Sequence, residues 1–148
     1  MFVHLKDRAL LRVSGSDAET FLQGQLSNDI NKLDTLSVQL NAYCQHQGKI
    51  LALFWVTKNV DSFFLSFPSD LLDAIRPRLQ MFIIISDVVI EDITKEYIQI
   101  GSIDETHQEA LTINNKLSLI IADKQDINQF NMGPIEHWNL ACIDSLLP

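Results

Sequence analysis

The stretch Val38 to Val56, VQLNAYCQHQGKILALFWV, constrains this chain more than any other. Its first half alternates apolar and polar side chains with period two. Val38, Leu40, Ala42 and Cys44 share one face of a strand, and Gln39, Asn41, Tyr43 and Gln45 the other. The pattern predicts a half-buried strand with its apolar set inward. After Gly48 the chain is apolar on both faces from Lys49 to Val56, as in a central strand of a sheet covered on both sides. A third strand, Phe63 to Phe67, follows a turn at Asn59 and Asp61 and completes a three-stranded meander.

The flanking segments extend this sheet. Ala9 to Val13 reads as a strand ending at Gly15. Ser16 with Glu19 has the spacing of a capping box, opening a helix with Ala18, Phe21, Leu22 and Leu26 on its apolar stripe. Gly24 weakens that helix by about 1 kcal/mol relative to alanine, a sign of close backbone approach. Pro68 and Ser69 open a second helix with Leu71, Leu72, Ile75 and Leu79 inward, and Pro77 either kinks it or starts another. Val88 to Ile93, Tyr97 to Ile103 and Leu117 to Ala122 read as strands, and Ile135 to Leu146 as a last helix. Strands that run in hairpins define an α+β class with a mostly antiparallel sheet. At 148 residues, a single domain spanning 1-148 is the expectation.

Charge and composition exclude several function classes. Eleven Lys and Arg against nineteen Asp and Glu give a net charge of -8, which disfavours a nucleic-acid backbone as direct ligand. The most apolar run, Met81 to Ile85, is far shorter than the roughly 18 residues needed to cross a bilayer. Lys6, Asp7 and Arg8 interrupt the start of the chain where an export signal requires an apolar run. Cys44 and Cys142 lie far apart and form no C-x-x-C pair, so a reducing cytoplasm is the expected setting. His4, His46, His107 and His137 lack metal-ligand spacing, and no P-loop, dinucleotide or nucleophile-elbow motif is present.

The amide-rich stretch Gln23 to Asp29, QGQLSND, admits two readings. In one it is a helix end and turn, with Asn28 or Asp29 capping a short following helix. In the other it is a polar rim over a flat ligand held in an apolar slot built from Phe54, Trp55 and Phe64.

RALLRVSGSDAETFLQGQLSNDINKL followed by NAYCQHQGKILALFWV resembles the N-terminal region of the YgfZ-type folate-binding proteins. These are relatives of the glycine-cleavage aminomethyltransferase and of iron–sulfur assembly factors. The resemblance is carried by Gly15, Asp17, Ala18, Phe21, Leu22, Gln23, Gln25, Asn28, Asp29, Gly48 and Lys49, and it runs from about Arg8 to Ile93. It implies that the sheet around Val38 to Phe67 is one wall of a tetrahydrofolate cavity, with Gln25, Asn28, Asp29, Asn41, Tyr43, Lys49, Leu53 and Trp55 at the cofactor. Ala52 and Leu53 stand where the aminomethyltransferases carry an aspartate pair, and neither can move a proton. The family's K-G-C-x-x-G-Q-E motif is absent, so the expected architecture is the front part of a longer one without its C-terminal barrel.

What the resemblance implies is a non-enzymatic, tetrahydrofolate-binding accessory protein supporting iron–sulfur enzymes and tRNA modification. The alternatives are a folate-dependent aminomethyltransferase and a remnant that serves as an interaction or dimerisation module. An uncovered cavity wall implies self-association.

Overall fold

The computed structural model describes residues 1–147. Its elements in chain order are β1 (Phe2–His4), β2 (Arg8–Ser14), α1 (Ala18–Gln25), β3 (Gln39–Cys44), β4 (Ile50–Lys58), β5 (Ser62–Pro68), α2 (Leu72–Met81) and β6 (Val89–Asp92), then β7 (Tyr97–Ile103), β8 (Leu111–Thr112), β9 (Leu117–Asp123), β10 (Met132–Gly133) and α3 (Ile135–Asp144). The class is α+β with antiparallel-dominated sheets. Contacts divide the chain into two compact units, Asp7–Thr94 and Met1–Lys6 with the chain from Lys95 onward.

In the unit Asp7–Thr94, five strands form one sheet in the order β3-β4-β5-β2-β6. The expected meander is there, and β2 adds to β5 in antiparallel register, with Leu11 opposite Leu65 and Arg12 opposite Phe64. One face of this sheet carries Ala9, Leu11, Val13, Phe54, Val56, Phe63, Leu65 and Phe67 into a core shared with α1 and α2. Ile75 and Leu79 of α2 are buried there, while Leu71 and Leu72 pack at its edge. Pro77 lies inside α2, which runs through it.

Three local expectations are corrected. First, β3 turns its polar face inward. Asn41 and Tyr43 are 0% and 1% exposed, whereas Leu40 is 36% exposed and Ala42 and Cys44 are half-buried. Volume and polar satisfaction decide the orientation. Tyr43 fills space that alanine or cysteine would leave empty and stacks on Phe54 at 5.6 Å. Asn41 accepts from the Asn28 amide at 2.8 Å and donates to Gln39 Oε1 at 2.9 Å, so burying it orphans neither end.

Second, the capping box does not form, because α1 starts from Asp17 without a side-chain cap. Ser16 instead donates from its amide and its hydroxyl to Asp87 Oδ2, at 2.9 and 2.8 Å. Asp17 Oδ2 accepts from the Asp87 amide at 2.8 Å. This clasp joins residues seventy positions apart, and Gly15 at φ +111° permits it. A Cβ there would lie 2.1 Å from the Asp87 carbonyl oxygen. Third, Gly24 permits no close approach, since its Cβ position has nothing within 4 Å.

The second unit holds a five-stranded sheet in the order β10-β1-β7-β9-β8, with β1 and β10 paired in parallel. Its core includes Ile98, Ile100, Ile120, Ala122 and Phe130. Gly101 of β7 makes room for the Trp138 ring of α3, which would lie 2.4 Å from a Cβ at that position. No helix among the described residues is long and apolar enough to cross a membrane.

Candidate functional site

The residues from Gln23 to Asp29 form a strap along the outer edge of β3. Edge strands leave a row of backbone groups unpaired, and this one is covered residue by residue. Ser27 donates its amide to the Ala42 carbonyl at 3.2 Å, and its hydroxyl accepts from the Ala42 amide at 2.8 Å. Asn28 Nδ2 donates to the Leu40 carbonyl at 3.3 Å, and Asn28 Oδ1 accepts from the Asp29 amide at 2.8 Å. Gln39 Nε2 donates to the Asp29 carbonyl at 2.8 Å. Gln23 closes the other side, accepting from the Ile30 amide at 2.8 Å and donating to the Asn28 carbonyl at 3.1 Å.

Asp29 caps the short 3₁₀ turn at Ile30–Lys32 by accepting from the Asn31 amide. The helix-end reading of QGQLSND therefore describes its local geometry. Gln25 ends α1 half-exposed.

The hairpin from β3 to β4 turns at Gly48, whose φ of +87° completes a three-residue loop. The Gly48 amide donates to the Gln45 carbonyl at 2.8 Å, and the Gln45 amide to the Lys49 carbonyl at 3.0 Å. Just beyond it, a register shift between Tyr43 and Cys44 changes which side chains face inward. Leu51 and Ala52 both pack toward the core, while Ile50, opposite Cys44, turns to the other face and is 56% exposed.

The eight candidate cofactor residues are thus distributed rather than gathered into one slot. Asn41 and Tyr43 lie on the core face. Gln25, Asn28 and Asp29 lie along the strap, and Lys49 is exposed at the hairpin. Leu53, opposite Ala42, and Trp55, opposite Leu40, share the far face of the sheet. The three-aromatic slot does not assemble, because Phe54 points into the core while Trp55 and Phe64 point away from it.

Trp55 is 5% exposed, and the Arg8 guanidinium lies 3.8 Å from its ring centre. Ser66 holds that guanidinium, its hydroxyl accepting from Arg8 Nε at 2.8 Å and its carbonyl from Arg8 Nη2 at 2.9 Å. Next to Trp55 the far face opens. Leu40, Ala42, Cys44, Ile50 and Leu53 make a half-exposed apolar wall that ends at Lys49.

Of the two positions at which the resemblance places the aspartate pair, Ala52 is buried in the core and Leu53 lies on this open wall. Position 53 is the one from which a side chain can meet a ligand on that face. Sequence pattern missed the wall because Leu40, Ala42 and Cys44 read as core.

Among the described residues, no hydrogen-bond partner meets the buried Tyr43 hydroxyl. Burial raises its pKa above the ordinary phenol value, and the positive charge of Arg78 counters part of the rise. Among the described residues, no three His, Cys, Asp or Glu side chains are grouped to hold a metal ion.

No family model matches the chain. It is 31% identical to an uncharacterized protein of Haemophilus influenzae, over 99% of the chain and 54% of that protein. It is 32% identical to the tRNA-modifying protein YgfZ of Enterobacter sp., over 60% of the chain and 27% of that protein. The YgfZ of Vibrio atlanticus is 22% identical over 84% of the chain and 42% of its own length. The chain is a partial relative of the YgfZ-type proteins.

It spans about half the length, or less, of these curated relatives. Among solved structures, the glycine cleavage system aminomethyltransferase T of Bartonella henselae superposes with a TM-score of 0.60. Identity is 17%, and the match covers 68% of this chain and 27% of the enzyme. At that identity the likeness shows a shared fold.

Proposed function

We propose that this chain is a tetrahydrofolate-binding accessory module that works by binding rather than catalysis, in support of iron–sulfur enzymes and tRNA modification. The observation that carries the reading is the open apolar wall of β3 and β4, with Leu53 facing out of it and Lys49 at its end. A flat pterin needs an apolar surface, and a glutamate tail needs a cation. The wall offers both. Asn41, Tyr43 and the strap support it from behind by fixing β3, so their part is positional. The YgfZ-type relatives, named as tRNA-modifying proteins, support the wider role.

The test is calorimetry with tetrahydrofolate on the whole chain. One cation at the wall favours a Kd on the order of 10 to 100 μM, roughly 5 to 7 kcal/mol. Leu53→Asp and Lys49→Glu, both at incompletely buried positions, should each weaken binding while leaving the fold intact. No heat and no thermal protection at millimolar ligand would overturn the reading.

A second reading is favoured by the exposure of Leu40 and Ile50 on the same wall, at 36% and 56%. In it the wall is a dimerisation surface. Light scattering separates the two, because a ligand wall leaves monomers and a docking wall gives a dimer that Ile50→Lys dissolves.

A further inference from the structure

We propose that the groove between α1 and the turn at Ile30–Lys32 receives an arginine side chain presented by a protein partner. The groove holds about 420 Å³ and is lined by Ser16, Glu19, Thr20, Gln23, Gly24 and Asn31. That volume lies within the range of ligand sites, roughly 300 to 1,000 Å³. All its lining residues belong to the unit Asp7–Thr94.

Gly24 is the observation that points to an occupant. Glycine within a helix costs about 1 kcal/mol relative to alanine, and the fold gains nothing from it here. Its φ lies outside the left-handed region, and a Cβ at this position would meet nothing within 4 Å. Gly24 is exposed and lines the groove, so a larger residue there would occupy part of it.

The chemistry of the walls selects the occupant. Gln23 is spent at both ends of its amide on the strap, and the Ser16 hydroxyl donates to Asp87. Glu19, the Thr20 hydroxyl and the Asn31 side chain remain. Among the described residues none of these three makes a hydrogen bond or ion pair, and Glu19 is half-buried.

A carboxylate, a hydroxyl and an amide line the groove, and no aromatic ring is among its lining residues to stack a base or a sugar. A planar guanidinium supplies donors in a fork that matches a carboxylate and has capacity for the other two oxygens. The net charge of -8 favours a basic partner on approach. The open mouth admits a side chain carried on a polypeptide.

The experiment titrates the isotope-labelled whole chain with the capped tripeptide Ala-Arg-Ala, following backbone amide resonances. Saturable shifts confined to Ser16, Glu19, Thr20, Gly24 and Asn31 are expected at millimolar peptide, and the citrulline counterpart should give none. Glu19→Gln should weaken binding roughly tenfold by removing the charge-assisted pair. Gly24→Leu should abolish it by occupying the groove while raising the thermal midpoint, since leucine favours the helix over glycine. Absence of saturable shifts, equal shifts with citrulline, or unchanged binding in a folded Gly24→Leu protein would overturn the proposal. Tetrahydrofolate calorimetry on the same variants should be unaffected, so this site and the β3–β4 wall stand or fall separately.

Discussion

Two glycines in one short stretch have opposite roles. Gly15 sits at φ +111° with the Asp87 carbonyl against its α-carbon, so Gly15→Ala combines backbone strain with a steric clash. A loss of at least about 2 kcal/mol in urea denaturation is expected. Gly24→Ala should instead gain about 1 kcal/mol, because only helix propensity changes. The Tyr43 hydroxyl is a third test at this scale. Buried without a partner among the described residues, it contributes little to stability, so Tyr43→Phe should be neutral to slightly stabilising. A loss above about 1 kcal/mol would reveal a bond from Arg78 to the phenol oxygen.

At the scale of elements, the strap and the clasp hold the sheet at two places. The strap depends on Asn41, and Asn41→Leu would leave the Asn28 backbone amide and Gln39 Oε1 without their partners. A cost of about 1 to 3 kcal/mol is expected, with hydrogen-exchange protection lost first at Asn28 and Ala42.

The clasp predicts a pH effect. Hydrogen bonds from the Ser16 amide and hydroxyl hold the Asp87 carboxyl below the ordinary aspartate value, which is about 4. A depressed carboxylate pKa stabilises the fold fully above the unfolded value, and this contribution is lost as pH falls through the folded one. Asp87→Asn should therefore flatten the acid limb of the stability curve below about pH 4 and leave its shape at neutral pH unchanged. An identical acid limb in the variant would exclude the clasp as its source. Pattern showed the strap's location but not its partners. QGQLSND reads as a helix end, and only the return of β3 beside it shows where the amides bond.

For the whole molecule, the proposed function rests on the wall of β3 and β4. Neither Ala52 nor Leu53 ionises, so no aminomethyl transfer to tetrahydrofolate is expected, and methylene-tetrahydrofolate formation above background would contradict this. Ala52 is in the core, so a carboxylate restored there would be buried without a partner and destabilising. At Leu53 it would face the open wall and be tolerated. Comparing Ala52→Asp with Leu53→Asp by thermal melting checks that orientation, because Ala52→Asp should melt at the lower temperature.

The sequence by itself determined the strands of the first sheet, their antiparallel meander, the two helices that cover it and the likeness to the YgfZ-type proteins. Each is written in local periodicity, turn residues or motif order, which contacts within a few residues can express. The short strands β1, β8 and β10 escaped because two or three residues carry no period. Pairing Phe2–His4 with strands that follow roughly a hundred residues or more later is a decision of tertiary contact alone. The same holds for the inward face of β3. Alternation shows that two faces exist, but which one is buried depended on a tyrosine finding Phe54 and an asparagine finding the Asn28 amide. Those partners are close in space and were not assigned by the pattern, so the tertiary structure turned the apolar face of β3 outward and left the wall open.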